Sequence, residues 1–326
     1  MSVDLTARLG PVELANPVLA AAGCAGAGRE LAQFFDIARL GALVTKSIMA
    51  QPRSGRPTPR LAESASGMLN SIGLQGPGVD VFLQRDLPWL LSRGARTIVS
   101  VAGAHTGEYA EVAARLSDAP GISAVEVNLS CAQATERERT FAAEPEAAAE
   151  VVASVVAAVR PDLPVIAKLA PDGADIVEVA RACVSAGAGL LAMINTIPGM
   201  VIDTTTLRPG LAGSTGGLSG PAIRPIAVRC VYRVHAALPD VPIIGIGGVQ
   251  TGQDALEMLL AGASAVGVGT ATFRDPTAAL RIQREIEEGL AEREISRLGD
   301  IVGLAHRPEG AAGLIRTRSR RAVAFD

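Results

Sequence analysis

Pro242-Ile-Ile-Gly-Ile-Gly-Gly-Val249 and Ala265-Val-Gly-Val-Gly-Thr-Ala271 each run from a short apolar segment into glycine, with an amphipathic stretch at 253–261 between them. Short runs rich in Val and Ile, bounded by Gly, Pro or polar residues and separated by helical periodicity, are the pattern of buried parallel strands joined by crossover helices. These two strands read as 242–247 and 265–270. The same unit recurs upstream, with strands expected at 17–22, 42–47, 97–103, 124–130, 164–169 and 189–196. Amphipathic segments at 107–116, 145–159, 172–186 and 221–238 fall between them. Eight such units in series predict an α/β fold, a (β/α)8 TIM barrel.

Further features elaborate that plan. Residues 5–14 alternate around Gly10-Pro11 and predict an N-terminal β-hairpin that plugs the opposite end of the barrel. Insertions are expected after strands 2 (48–78), 4 (131–146) and 6 (197–220). All follow the C-terminal ends of strands, where barrels of this kind carry their active sites, so they read as binding loops. No repeat or linker divides the chain, and residues 1–326 read as one domain with a C-terminal tail from about 305.

Composition narrows the function. The 326 residues are 48% hydrophobic and 19% charged, with a formal charge of −3, which suits a large core and gives no electrostatic footprint for nucleic acid or an acidic membrane. The arginine-rich stretch from Arg316 to Arg321 reads as a solvated tail. No secretory leader or membrane-length apolar run is visible, so the expectation is a cytoplasmic protein. Cys24, Cys131, Cys183 and Cys230 are scattered without a CxxC pair, which encodes neither a disulfide framework nor a metal or iron–sulfur site.

Glycines at the ends of the seventh and eighth strands, Gly247, Gly248 and Gly269 with Thr270, suit a phosphate held by backbone N–H groups and a helix N-terminus. Tight turns alone would use the same glycines. Lys46 and Lys168 stand in otherwise apolar strands, where a cation needs an anion or a polar ligand. An ion pair with a carboxylate such as Glu126 is the plainer account. Asn70, Asn128 and Asn195 offer both donors and acceptors to a planar amide-bearing ligand, although each taken alone is equally a turn or cap residue. Cys131, just past the fourth strand, is a candidate base or nucleophile if it is partly exposed; the other three cysteines read as small hydrophobes.

Several stretches together resemble the class 1 dihydroorotate dehydrogenases. The most specific is Glu63-Ser-Ala-Ser-Gly-Met-Leu-Asn-Ser-Ile-Gly-Leu-Gln-Gly-Pro-Gly78, whose Ile-Gly-Leu-Gln form is similar to class 1B. Asn-Leu-Ser-Cys at 128–131, Ala-Lys-Leu at 167–169, Met-Ile-Asn-Thr at 193–196 and Gly-Gly-Leu-Ser-Gly-Pro-Ala-Ile at 216–223 extend the likeness over about the first 280 residues. The resemblance implies an FMN enzyme oxidising (S)-dihydroorotate to orotate in pyrimidine biosynthesis. Cys131 would be the general base, Lys168 would lie beside the flavin, and Lys46 would touch flavin and substrate.

By the same resemblance, Asn70, Ser71, Ile72, Gly73, Leu74, Asn128, Gln133, Asn195 and Thr196, with Lys46, would hold the substrate. Ala22, Lys46, Ser47, Ser100, Asn128, Lys168, Ile194, Gly220, Gly247, Gly248, Gly269 and Thr270 would hold FMN. A homodimer, flanked by a separate iron–sulfur and FAD subunit that passes electrons to NAD, is implied as well. No metal is expected in this chain.

The sequence departs from the family in the loop after Cys131. Ala132 and Gln133 stand where the family has Pro-Asn, and Arg137 and Glu138 replace a glycine pair. Ser100 stands for an asparagine and Ala22 for a serine. The loop leaves room for a related enzyme acting on another dihydropyrimidine or cyclic amide. The other readings are a non-redox phosphate-binding barrel and an inactive flavin-binding scaffold.

Overall fold

The computed structural model describes residues 2–131 and 140–307. Eight parallel strands close a barrel: β1 (Val18–Ala20), β2 (Ala42–Val44), β3 (Thr97–Val101), β4 (Ile122–Asn128), β5 (Val165–Leu169), β6 (Leu190–Met193), β7 (Ile243–Ile246) and β8 (Ala265–Val268). Each pairs with its successor, and β8 returns to β1 through Val266 opposite Val18. The barrel expected from the sequence is therefore the fold. β2, β3, β5, β6, β7 and β8 are buried along their whole length, which is why they read as continuous apolar runs.

The outer ring consists of α1 (Leu87–Ser92), α2 (Thr106–Ser117), α3 (Pro145–Ala158), α4 (Ile176–Ser185), α5 (Arg224–Ala237), α6 (Gly252–Leu260), α7 (Ala271–Arg274) and α8 (Ala278–Ala291). Their starts are written locally. Thr251 and Asp254 form a reciprocal capping box on α6, and Asp175 accepts from Val177 N at the head of α4. α8 buries Ala278, Ile282, Ile286 and Leu290, one residue per turn, against the barrel.

Two expectations are corrected. Seven of the eight strands end before the segments expected for them, because the chain leaves the ladder and turns into the barrel mouth within those segments; β5 ends at Leu169 as expected. No α-helix follows β1: the chain makes two single 3-10 turns, Leu31–Gln33 and Ile37–Arg39. Gly23, Gly26 and Gly28, all at positive φ, interrupt any helix that would start there.

The N-terminal hairpin pairs Ala7–Leu9 with Val12–Leu14 and buries Leu9 and Leu14. A Cβ on Gly10 would lie 4.0 Å from Leu190, at the start of β6, so the hairpin packs at the N-terminal end of the barrel. The insertions after β2 and β6 are built together at the other end. Leu61–Ser64 pairs with Gly67–Asn70, which pairs with Thr215–Ser219, which pairs with Ile197–Met200, giving one four-stranded antiparallel sheet from two distant segments. The segments approach through glycine: a Cβ on Gly67 would lie 2.0 Å from Ser219 O, and one on Gly220 would lie 2.7 Å from Gly67 Cα. The apolar core is continuous from Val3 to Ile301. Near the C-terminal end of the described residues, His306 stacks on Tyr232 of α5 at 3.9 Å and bonds Ala261 O. The tail beyond 307, including Arg316 to Arg321, lies outside the described residues.

Candidate active site

The strand ends converge on one cleft enclosing about 530 Å³ of empty space. β5 contributes Lys168, and the chain leaving β6 contributes Ile194, Asn195 and Thr196. Ser219, Gly220 and Ile223 come from the end of the second insertion, and Ala21, Ala22 and Cys24 follow β1. β7 and its turn supply Ile246, Gly247, Gly248, Val249 and Gln250, and the turn after β8 supplies Gly269, Thr270 and Ala271. One end is a cradle of glycines and hydroxyls. Gly220, Gly247 and Gly248 lie at φ 97°, 129° and 74°, and Thr270 Oγ1 donates to Ser219 Oγ at 2.7 Å. A Cβ on Gly248 would meet Gly220 O at 2.8 Å, so only glycine lets these turns close up. Beside the cradle, Arg224 at the head of α5 is ion-paired with Asp254 and Glu257.

The other end holds charge. Lys168 is buried, its Nζ 3.5 Å from Oε1 of Glu126, itself fully enclosed two residues before the end of β4. Lys46 follows β2, close to Lys168 but not on the cleft wall; it is half-buried, with no ion pair among the described residues. Burial, and then the nearby Lys168, pulls it below the usual lysine range, against the opposing effect of Cys131 and Cys24.

Between these ends runs a chain of side-chain hydrogen bonds. Ser100 Oγ meets Ser47 Oγ at 3.0 Å, and Asn128 Nδ2 donates to Ser47 Oγ at 3.1 Å. Asn195 Nδ2 donates to Asn128 Oδ1 at 3.1 Å, and Asn195 Oδ1 accepts from Thr196 N at 2.9 Å. Four strand ends are thus coupled, with an N–H of each carboxamide free of these bonds and suited to a ligand. Ser47, Ser100 and Asn128 do not line the cleft wall; this hydrogen-bond chain meets the cleft at Asn195 and Thr196.

Cys131 is enclosed, so the partial exposure expected of a candidate base at this position is not found. Its Sγ donates to Asn128 O at 3.4 Å, and Tyr109 Oη donates to the same carbonyl at 2.6 Å. Phe141 meets Tyr109 edge-on at 5.7 Å and bonds Cys131 O through its backbone N. Burial pushes the thiol above its usual range, opposed by the Tyr109 hydroxyl, the Gly103 backbone and the charge of Lys46.

The stretch expected to hold a substrate begins at Asn70, the last residue of an insertion-sheet strand, and runs on beyond that sheet through Leu74. Asn70 Nδ2 donates to Gly217 O at 3.2 Å, and Thr196 packs so closely on Gly217 that a Cβ there would meet its Oγ1 at 2.1 Å. Ser71 is buried and accepts from Arg56 Nη1 at 2.7 Å, while Gly73 and Leu74 turn at positive φ. Asn70 therefore adjoins the cleft through Gly217 and Thr196, and none of Asn70, Ser71, Ile72, Gly73 and Leu74 lines its wall. Gln133, with Ala132, Arg137 and Glu138, lies outside the described residues.

Sequence reasoning missed Tyr109, Ser219, Gln250 and Arg56. Ser219 lies inside the Gly-Gly-Leu-Ser-Gly-Pro stretch, and its place before Gly220 was the available signal. Cys24, read as a core hydrophobe, lines the cleft wall, where burial pushes its thiol up to about 11.

Comparison with known proteins agrees with this architecture. The family model for dihydroorotate dehydrogenase matches residues 4–290. The chain is 46% identical over 303 residues to a protein of Trichlorobacter lovleyi named dihydroorotate dehydrogenase B (NAD(+)), catalytic subunit, covering 93% of this chain and 99% of the relative. A protein of the same name from Desulforudis audaxviator is 46% identical over 310 residues, covering 95% and 100%. Among solved structures, a dihydroorotate dehydrogenase from Eimeria tenella in complex with ferulenol shares the fold, with a TM-score of 0.78 at 23% identity over 94% of this chain and 89% of that one. A model match over most of the chain, with near-complete coverage of relatives at this identity, shows that the chain belongs to the dihydroorotate dehydrogenase family, on its class 1B branch.

Proposed function

We propose that the protein is an FMN-dependent oxidoreductase that converts (S)-dihydroorotate to orotate in pyrimidine biosynthesis. The observation that carries this reading is one cleft with a buried lysine at one end and a glycine-and-hydroxyl cradle at the other. Ile194, Ile246 and Ala22 provide apolar walls between them. That donor set fits FMN: Gly220, Gly247, Gly248, Gly269, Thr270 and Ser219 suit its phosphate, and Lys168 suits the electron-rich edge of its ring. When bound, FMN supplies the hydride acceptor.

The chain's own residues do the rest. Cys131, once its thiol proton has passed to solvent, is as the thiolate the base that would take the proton from C5 of the substrate while the hydride leaves C6 for the flavin. Asn128 and Asn195 would fix the substrate ring in plane through their remaining N–H groups, with Thr196 and the stretch from Asn70 to Leu74 closing over it. Lys46 balances the substrate's carboxylate. A fixed cation at Lys168, kept from bulk water, favours negative charge on the reduced cofactor without reorganising at the moment of reaction.

The relatives' names describe catalytic subunits of an NAD-linked enzyme. The chain's electrons accordingly go to a separate subunit carrying the iron–sulfur centre and FAD, and a homodimer forms the core of that assembly. Among the described residues no group of three or more His, Cys, Asp or Glu is placed to hold a metal. Exposed Met200, Ile202 and Leu207 on the second insertion give that assembly an apolar contact surface. No helix of the described residues is long and apolar enough to cross a membrane. Orotate production from dihydroorotate by the FMN-loaded chain, with an artificial electron acceptor, tests the reading; flavin content without orotate would favour the scaffold.

A further inference from the structure

Glu126 is a carboxylate with no solvent. Neither of its oxygens has a hydrogen-bond partner within the described residues, and the one charge it meets is Lys168 Nζ at 3.5 Å. A buried carboxylate usually collects several donors, so one that keeps only an ammonium has little role except toward that ammonium. The strand geometry explains the arrangement. Lys168 stands opposite Asn128 in the β4–β5 register, and Glu126 lies one side-chain period below Asn128, on the same inward face. The carboxylate therefore sits beneath the cleft, on the side of Lys168 away from any ligand.

We propose that Glu126 is a positioning residue that keeps the Lys168 ammonium charged and fixed in both oxidation states of the bound cofactor, so that reduction takes up no extra proton at the lysine. The inference rests on the FMN reading. Two opposite charges taken out of water together are tolerated, whereas either alone tends to neutralise. The other groups whose charges reach Lys168 are Lys46 after β2 and Cys24 after β1, with Cys131 after β4 acting on Lys46. Lys46 is a like charge and the thiols are neutral in their buried state, so none replaces Glu126.

The test is the midpoint potential of the bound FMN against pH, from about pH 6 to about pH 9, in the native protein, Glu126→Gln, Glu126→Asp and Lys168→Ala with and without Glu126→Gln. Glu126→Gln is expected to steepen the dependence by about one proton per two electrons, because the lysine then gains its proton only as the flavin gains charge. Glu126→Asp keeps the native slope, and Glu126→Gln adds nothing in the Lys168→Ala background. A native slope in Glu126→Gln, or an equal change without Lys168, overturns the proposal. Should Glu126→Gln not fold, melting temperatures decide: Lys168→Met with Glu126→Gln recovers stability lost by either alone, and failure to recover overturns it. A native protein that takes up no FMN would sink the cofactor reading instead, an outcome distinct from all of these.

Discussion

Asn195 Nδ2 donates to Asn128 Oδ1 at 3.1 Å, joining the ends of β6 and β4 across the intervening Lys168 strand. The contact makes two carboxamides one unit: each holds the other's plane, and each keeps an N–H for the ligand. Removing either leaves a polar partner unsatisfied as well as losing the substrate contact proposed for it, at a cost of about 1–3 kcal/mol. Asn128→Ala and Asn195→Ala are each expected to raise the KM for dihydroorotate by about 10- to 100-fold, and the double variant by less than the product. Steady-state kinetics of the three variants checks this; fully multiplicative effects would mean that the two side chains act independently.

Cys131→Ala should leave FMN bound, since the thiol faces Asn128 O rather than the cleft wall. Loss of a general base slows proton removal by about 10²–10⁴-fold. Stopped-flow reduction of the bound flavin by dihydroorotate measures it, and unchanged kinetics would remove Cys131 from the mechanism.

The same thiol gives a pH signature. Its folded pKa lies above the usual value, chiefly through burial, so the thiolate is scarce at neutral pH and the reduction rate should climb as pH rises into the alkaline range. The Tyr109 hydroxyl pulls the thiol in the opposite direction. Tyr109→Phe should therefore displace the rate profile further toward high pH while retaining flavin. A profile unmoved by the substitution would show that Tyr109 serves only as a wall.

Gly248→Val tests the phosphate cradle. The residue lies at φ 74°, and a Cβ would press on Gly220 O at 2.8 Å and Arg224 Cβ at 2.7 Å. Backbone strain of about 1–3 kcal/mol at this turn should weaken FMN retention by about 10-fold or more, with the barrel still folded. Flavin-to-protein ratio after gel filtration, with a melting curve as control, decides it; native flavin content would mean that the cradle lies elsewhere.

The barrel was legible because parallel strands buried on both faces announce themselves as short apolar runs, and all eight fall where those runs are. Most of their ends were not: Lys46, Asn195 and Thr270 fall inside the expected segments but beyond the last ladder residue, and β5 alone ends where expected. The insertion sheet was invisible for a different reason: Leu69 pairs with Leu218 across nearly half the chain, and no local pattern encodes a pairing so distant. Lys168 and the glycines stood out because a cation or a run of glycines is anomalous in an apolar strand. Tyr109 and Ser219 did not, being ordinary residues in their own segments. The enclosure of Cys131 depends on Tyr109 and Phe141 arriving from α2 and from the far side of the loop, which only the fold reveals.

The central claim is that this chain takes electrons from dihydroorotate onto a bound FMN. Its most direct test is an anaerobic titration of the purified, FMN-loaded chain with dihydroorotate, followed at the oxidised-flavin absorbance near ~450 nm. The account predicts bleaching as substrate is added, with orotate appearing in step. A flavin that stays oxidised under excess dihydroorotate would contradict it.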